Sequence, residues 1–251
     1  MLSLLQNRSI SMPGYEYCAC QWVFLLYFLV VLLCQRKMST NLDDIVAVGG
    51  NLEPASLLTA YQRGVFPWPG EGLPLLWYCP RQRAILDLKN LHVGRNLLRA
   101  KRKSGFEFTI DRAFSEVLHA CAEIPRAEQE GTWITGDMIA AYEELHRLGH
   151  AHSVEAWNEG QLVGGLYGVD PGGVFCGESM FHLEPDASHL ALLYLLEHVE
   201  QRGLTWIDIQ VMTPHMGRLG AGEIPRNEFV RRLEDTLELN LQLFEPTAPQ
   251  L

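Results

Sequence analysis

The clearest pattern in the chain is the alternation of apolar and polar positions between 106 and 181. Phe106-Glu107-Phe108-Thr109-Ile110-Asp111 alternates as a half-buried strand does. Runs at 151–157 and 161–169 flank Asn158-Glu159-Gly160 and predict a hairpin. Asp170-Pro171-Gly172-Gly173 then turns the chain into a third strand, 174–181. A helical run over 187–202 stops at Gly203, and a strand over 205–210 follows. Further helices are expected at about 54–63, where Pro54 suits a first turn and Gly64 a stop, and at 91–102, 112–122 and 136–148. A short helix after Val211–His215 and an amphipathic one at 227–238 complete the set. The tail beyond 239, with Pro246 and Pro249, is expected to fray.

Helix, helix, three antiparallel strands, helix and strand in that order predict a mixed α/β (α+β) layer, mainly antiparallel, with helices packed on the sheet. That order also resembles the acyltransferase fold of the N-acetyltransferase type, in which two central strands splay and an acyl donor sits in the gap. At 251 residues and 47% apolar, the chain can bury a sizeable core. We divide it into an extension at 1–37, a small N-terminal domain at 38–80, a catalytic domain at 81–240 and a tail at 241–251.

The extension has a different character from the rest. Cys18 to Cys34 is apolar except for Gln21, and Arg36 and Lys37 follow. Such a run is at the short limit for a membrane span. It reads either as an anchor that leaves the main domain on the cytoplasmic side, or as an upstream artefact with translation starting at Met38. A membrane is a partner only in the first case. The other three cysteines, Cys79, Cys121 and Cys176, are scattered without metal-ligand spacing and fit a reduced, cytoplasmic domain. His146, His150 and His152 are the closest histidine group; the ordinary reading is a helix end followed by a strand start.

Net charge is −10 with an isoelectric point of about 5.4, which argues against general nucleic-acid coating but not against a local basic patch. Residues 81–103 supply one: Arg81, Arg83, Lys89, His92, Arg95, Arg99, Lys101, Arg102 and Lys103, with Asp87 the single acid. This is either a solvated helix face or an electrostatic track for phosphates. The aromatics around Trp68 and Trp77 suit a core or a stacking platform. Most pointed are the carboxylates of the later strands. Glu178 stands amid Phe175, Cys176, Met180 and Phe181, while Asp208 and Gln210 are two apart and thus expected on one face. Polar groups in apolar strands are costly unless paired or used.

Seven ordered motifs carry a resemblance: Ala60–Trp68 (Ala-Tyr-Gln-Arg-Gly-Val-Phe-Pro-Trp), Glu130–Thr135 (Glu-Gly-Thr-Trp-Ile-Thr), Leu148–Glu155, Leu162–Gly168, Phe175–Phe181 (Phe-Cys-Gly-Glu-Ser-Met-Phe), Asp208-Ile209-Gln210 and Leu219–Arg226. Together they resemble the leucyl/phenylalanyl-tRNA–protein transferase family over about 47–235. The resemblance implies transfer of Leu or Phe, less often Met, from aminoacyl-tRNA to proteins with an N-terminal Arg or Lys, which marks them for degradation. It implies no metal and no organic cofactor, and a monomer is expected. Glu178 then matches the carboxylate that receives the acceptor's cationic side chain. Gln210 matches the group set against the acceptor's α-amine, with Asp208 orienting it. Trp68 and Trp133 match tryptophans near the 3′-terminal adenosine. Leu166, Phe175 and Leu192 match the wall of an apolar donor pocket, with Leu195 a fourth candidate. Lys89, Arg95, Arg99, Lys101, Arg102 and Lys103 become the acceptor-stem track. Two departures stand out: Asn51 where the family has Asp, and His189 where it usually has Lys. The alternative on the same fold is a coenzyme A-dependent small-molecule N-acyltransferase, whose nearest phosphate motif is Arg218-Leu219-Gly220-Ala221-Gly222.

Overall fold

Two sheets organise the computed structural model, which describes residues 42–68, 74–124 and 134–245. The chain divides into two units, Met1–Leu42 and Asp43–Leu251, and the second holds both sheets. The apolar run at 18–34 lies outside the described residues. Among those described, no helix is long and apolar enough to cross a membrane.

The small sheet contains β1 (Ile45–Val48), β3 (Leu76–Tyr78) and β2 (Phe66–Pro67), in that spatial order. Helix α1 (Pro54–Tyr61) has Pro54 in its first turn, and the chain leaves it through Gly64 at φ +73°. Phe66, Trp77 and Tyr78 are buried, and the Trp77 indole donates to Gly49 O at 2.8 Å, so these aromatics are core. Trp68 sits at the edge of the group, half-buried, 6.1 Å from both Phe66 and Tyr78.

The large sheet runs β10-β4-β9-β8-β7-β6-β5, comprising Gly222–Pro225, Gln82–Asp87, Trp206–Gln210, Cys176–His182, Gln161–Val169, Ala151–Asn158 and Glu107–Ile110. The expected meander is its right half: β6, β7 and β8 pair antiparallel in sequence. Two strands of the left half, β4 and β10, are additions to the pattern-based expectation. Four of the six β4 residues are buried because the strand lies between β9 and β10. An interior strand need not alternate, and its arginine hides it further. Strand β10 has only four residues, too few to show a period.

Helices α2 (Arg95–Lys103), α3 (Phe114–Glu123), α4 (Gly136–Arg147), α5 (Ala187–Glu200), α6 (Pro214–Arg218) and α7 (Arg226–Leu237) complete the fold. Thr135 caps α4 by accepting from the Met138 amide at 3.3 Å. Neighbouring glycines in β7 show the layering. A Cβ on Gly164 would lie 2.6 Å from the Ala187 Cβ of α5, whereas one on Gly165 would meet Val117 of α3. Successive residues face opposite sides of a sheet, so α5 and α3 cover opposite faces. Close approach of α5 therefore requires glycine at 164. The tail differs from expectation: Leu243 and Phe244 are buried, so the chain is packed through this point rather than frayed after 239. Residues 246–251 are outside the described set.

Candidate active site

The sheet opens between its two central strands. β8 and β9 are its one parallel pair, and they are in register only at Cys176 and Asp208, where the Asp208 amide donates to Phe175 O at 3.0 Å. Two residues further along each strand, the backbones no longer pair and side chains bridge the gap instead. Gln210 Nε2 donates to Glu178 Oε1 at 2.6 Å. A cavity of about 410 Å³ opens at this split, lined by Leu166, Phe175, Glu178, Met180, Leu192 and Ile209 among others.

Glu178 is the centre of a polar cluster. Its Oε1 also accepts from the Tyr61 hydroxyl at 2.7 Å, and its Oε2 from Tyr142 at 3.2 Å. The two phenols are 2.6 Å apart. Burial pushes Glu178 up to about 7, against the hydrogen bonds from Tyr61, Gln210 and Tyr142, which favour the anion. Burial and the neighbouring carboxylate raise both tyrosines well above their ordinary value, so they remain donors. Neither tyrosine is marked by any local signal. Tyr61 ends α1 and Tyr142 lies inside α4, both buried, and only the tertiary fold brings their hydroxyls to Glu178.

Behind Gln210 lies a buried ion pair. Asp208 accepts from Arg83 Nε at 2.8 Å and Nη2 at 2.6 Å, with both side chains 1% exposed. Burial opposes the charge on Arg83, but the Asp208 carboxylate and its hydrogen bonds together raise the guanidinium above its ordinary value. Its flat faces rest against Phe66 and Phe229, at 4.7 and 4.5 Å from the ring centroids. Arg83 thus belongs to the site rather than to a surface track. Asp208 Oδ1 in turn accepts from the Gln210 backbone amide at 2.9 Å. Gln210 has φ +62°, outside the extended region, so the period-two argument stops at that residue. Asp208 orients it through the backbone rather than side by side on one face.

The other expected site residues fall in several places. Leu166, Phe175 and Leu192 line the cavity. Leu195 is fully buried in the core beneath α5 and is not among the lining residues. Trp133 lies outside the described residues. On α2, the side chains of Arg95, Arg99, Arg102 and Lys103 make no ion pair among the described residues, while Lys101 pairs with Glu197. Lys89 is 4.0 Å from Asp87. His189 Nε2 is 3.0 Å from Nδ1 of His215, which lines the cavity mouth. Burial and the facing His189 push His215 down to about 4, so it is neutral at pH 7.

Among the described residues, no group of three or more His, Cys, Asp or Glu is placed to hold a metal. Arg218–Gly222 leads into strand β10, not into a helix, and so forms no helix N-terminal cradle for a pyrophosphate. Cys79, Cys121 and Cys176 are buried and form no disulfide.

A mixed sheet split over an apolar cavity, with helices on both faces, is the mixed α/β layer expected from the sequence. A family model described as leucyl/phenylalanyl-tRNA protein transferase matches residues 85–234, and one for the N-terminal domain of that transferase matches 50–81. Relatives named leucyl/phenylalanyl-tRNA–protein transferase include that of Nitratidesulfovibrio vulgaris (strain DP4), 52% identical over 193 residues, which are 77% of this chain and 82% of the relative. The one from Shewanella denitrificans is 48% identical over 198 residues (79% and 84%), and the one from Syntrophotalea carbinolica 51% over 191 (76% and 83%). The chain belongs to the leucyl/phenylalanyl-tRNA–protein transferase family and is a transferase.

Proposed function

We propose that this enzyme moves Leu or Phe, less often Met, from aminoacyl-tRNA to the N-terminal Arg or Lys of acceptor proteins, in the cytoplasm, marking them for degradation. The observation that carries the reading is the Gln210–Glu178 bond across the split of β8 and β9, beside an apolar cavity. The apolar wall of Leu166, Phe175 and Leu192 suits the donor side chain. Glu178 suits the acceptor's cation, because a carboxylate beside neutral donors gains most from a guanidinium or ammonium.

The amide of Gln210 has a defined direction. Once a bound cation holds Glu178 ionised, the carboxylate only accepts, so the amide nitrogen faces Glu178 and Oε1 remains to accept an N–H of the acceptor's α-amine. Gln210 is then a holder of the amine, since an amide is a poor base. The α-amine has a reference pKa near 8 and supplies its own neutral fraction. Its nitrogen attacks the ester carbonyl, the peptide C–N bond forms and the C–O bond to the ribose breaks. The proton lost by nitrogen ends on the ribose oxygen. With an activated ester already in hand, positioning supplies much of the rate. The Arg83–Asp208 pair fixes the turn at Gln210 and so the amine's place.

Trp68 and Trp133 stack on the 3′-terminal adenosine, an interaction worth about 1–3 kcal/mol per base. Lys89 and the α2 cations follow the acceptor-stem backbone, which binds without reading sequence. The decisive experiment is transfer of labelled leucine from leucyl-tRNA to an Arg-initiated peptide by the full chain. Wild type should transfer, and Gln210→Ala or Asp208→Asn should lower kcat about 10²-fold, the size expected when a reacting group is misplaced. Acetyl transfer from acetyl-coenzyme A without leucyl transfer would overturn the reading in favour of a small-molecule acyltransferase.

A further inference from the structure

The packed tail runs behind the cavity wall, against Phe175. Phe244 is 9% exposed and lies face to face with His152, at 3.8 Å between ring centroids and 11° between planes. His198 stacks on it at 5.4 Å and 27°. The tail is pinned there by a hydrogen bond from His198 Nε2 to Leu243 O at 2.8 Å. The proton assignment follows from the other nitrogen. Arg202 Nη1 donates to His198 Nδ1 at 3.1 Å, so Nδ1 accepts and Nε2 carries the hydrogen. Leu243, 1% exposed, adds an apolar anchor in the main core.

Phe244 also touches Phe175, with ring centroids 5.9 Å apart and 51° between planes. Phe175 lines the cavity and Phe244 does not. Phe244 therefore meets a part of Phe175 turned away from the cavity. On another side the Phe175 ring lies over Gly168, where a Cβ would stand 2.5 Å from its Cζ. Gly168 is the residue that lets the ring sit down on β7. Phe244 and β7 thus hold the Phe175 ring on two sides, and the cavity adjoins it.

We infer that Phe244 is a specificity-positioning residue: it holds Phe175 forward from behind and thereby sets how large a donor side chain the cavity accepts. The inference rests on the reading of that cavity as the donor pocket. Removing Phe244 volume leaves space behind Phe175, into which the ring can retreat, and the pocket gains room. Adding volume drives Phe175 forward and takes room away. Protein interiors are packed tightly enough for one or two methylenes to be felt, and a methylene's worth of pocket space changes discrimination by about 10-fold or more.

The test compares the ratio of kcat/KM for phenylalanyl-tRNA to that for leucyl-tRNA in wild type, Phe244→Leu, Phe244→Trp and Phe175→Leu, all in the full chain. Phe244→Leu should raise the ratio about 10-fold and Phe244→Trp should lower it by a similar factor. Opposite signs at one position are not expected of general destabilisation, which lowers both activities together. Should Phe244→Trp not fold by circular dichroism, Phe244→Leu and Phe244→Met still decide the matter, since both replace the ring with a smaller side chain and should both raise the ratio. If Phe175→Leu shifts the ratio and the Phe244 variants leave it unchanged, the inference falls while the donor pocket stands. If none of them shifts it, the donor-pocket assignment falls and the inference with it.

Discussion

Arg83 and the arginines of α2 come from one basic stretch of sequence and have opposite fates. Arg83 sits on an interior strand, 1% exposed, with both donors of one edge on Asp208 and its faces on two phenyl rings. Arg95, Arg99 and Arg102 are exposed on a helix whose Leu97 and Ala100 are only partly buried against the core. A buried ion has given up its hydration and depends on its partner, whereas an exposed one keeps its water and contributes little to stability. The buried cation is thus committed to one geometry. The exposed ones remain available for a polyanion. Residue type says nothing of this difference, which comes from whether the position lies on a covered strand or on the solvent face of a helix.

Mutation separates the two kinds of arginine, with the larger effect at Arg83. Arg83→Met should destabilise the protein by about 3–5 kcal/mol, because Asp208 is left buried and unpaired. The denaturant midpoint measures this. Activity should fall too, since the turn at Gln210 loses its support. Adding Asp208→Leu should restore much of the stability and none of the activity. A single mutant of wild-type stability would show that the pair is not a buried dependency. On α2, reversing Arg95, Arg99 and Arg102 to Glu should change stability by no more than about 0.5 kcal/mol for each substitution. Affinity for tRNA should fall, and the salt slope of binding should flatten by about one for each phosphate no longer neutralised. An unchanged slope would mark α2 as a plain solvated face.

Much of the catalytic half of the fold is legible because its elements are half-buried and regular. β6 to β8 show period two and Gly/Pro turns, and Glu178, Asp208 and Gln210 stand out as polar residues in apolar strands. The features that are not legible lack a local signal. β4 is covered on both sides and carries a charge, so it reads as part of a basic run. Leu195 follows Leu192 by less than a helical turn, yet only Leu192 reaches the cavity. Tyr61 and Tyr142 look like ordinary helix core until the fold aims both hydroxyls at one carboxylate. The chain from Leu241 to Phe244 has no period and lies close to a proline, which hides its packing.

In the function proposed above, Glu178 receives the acceptor's cationic side chain. Burial pushes its carboxyl up to about 7, and a bound cation would hold it ionised. Binding must therefore expel a proton at pH values below about 7, and affinity falls as pH drops through that value. The measurement is the dissociation constant of an Arg-initiated peptide by calorimetry from about pH 5.5 to about 8.5, beside a citrulline-initiated peptide with the same α-amine. The ratio of the two constants isolates the side-chain charge. In wild type the preference for Arg should be full above about pH 7 and shrink about tenfold per unit below it. In Glu178→Gln it should be small and independent of pH. A wild-type preference that is flat with pH and survives Glu178→Gln would contradict the assignment.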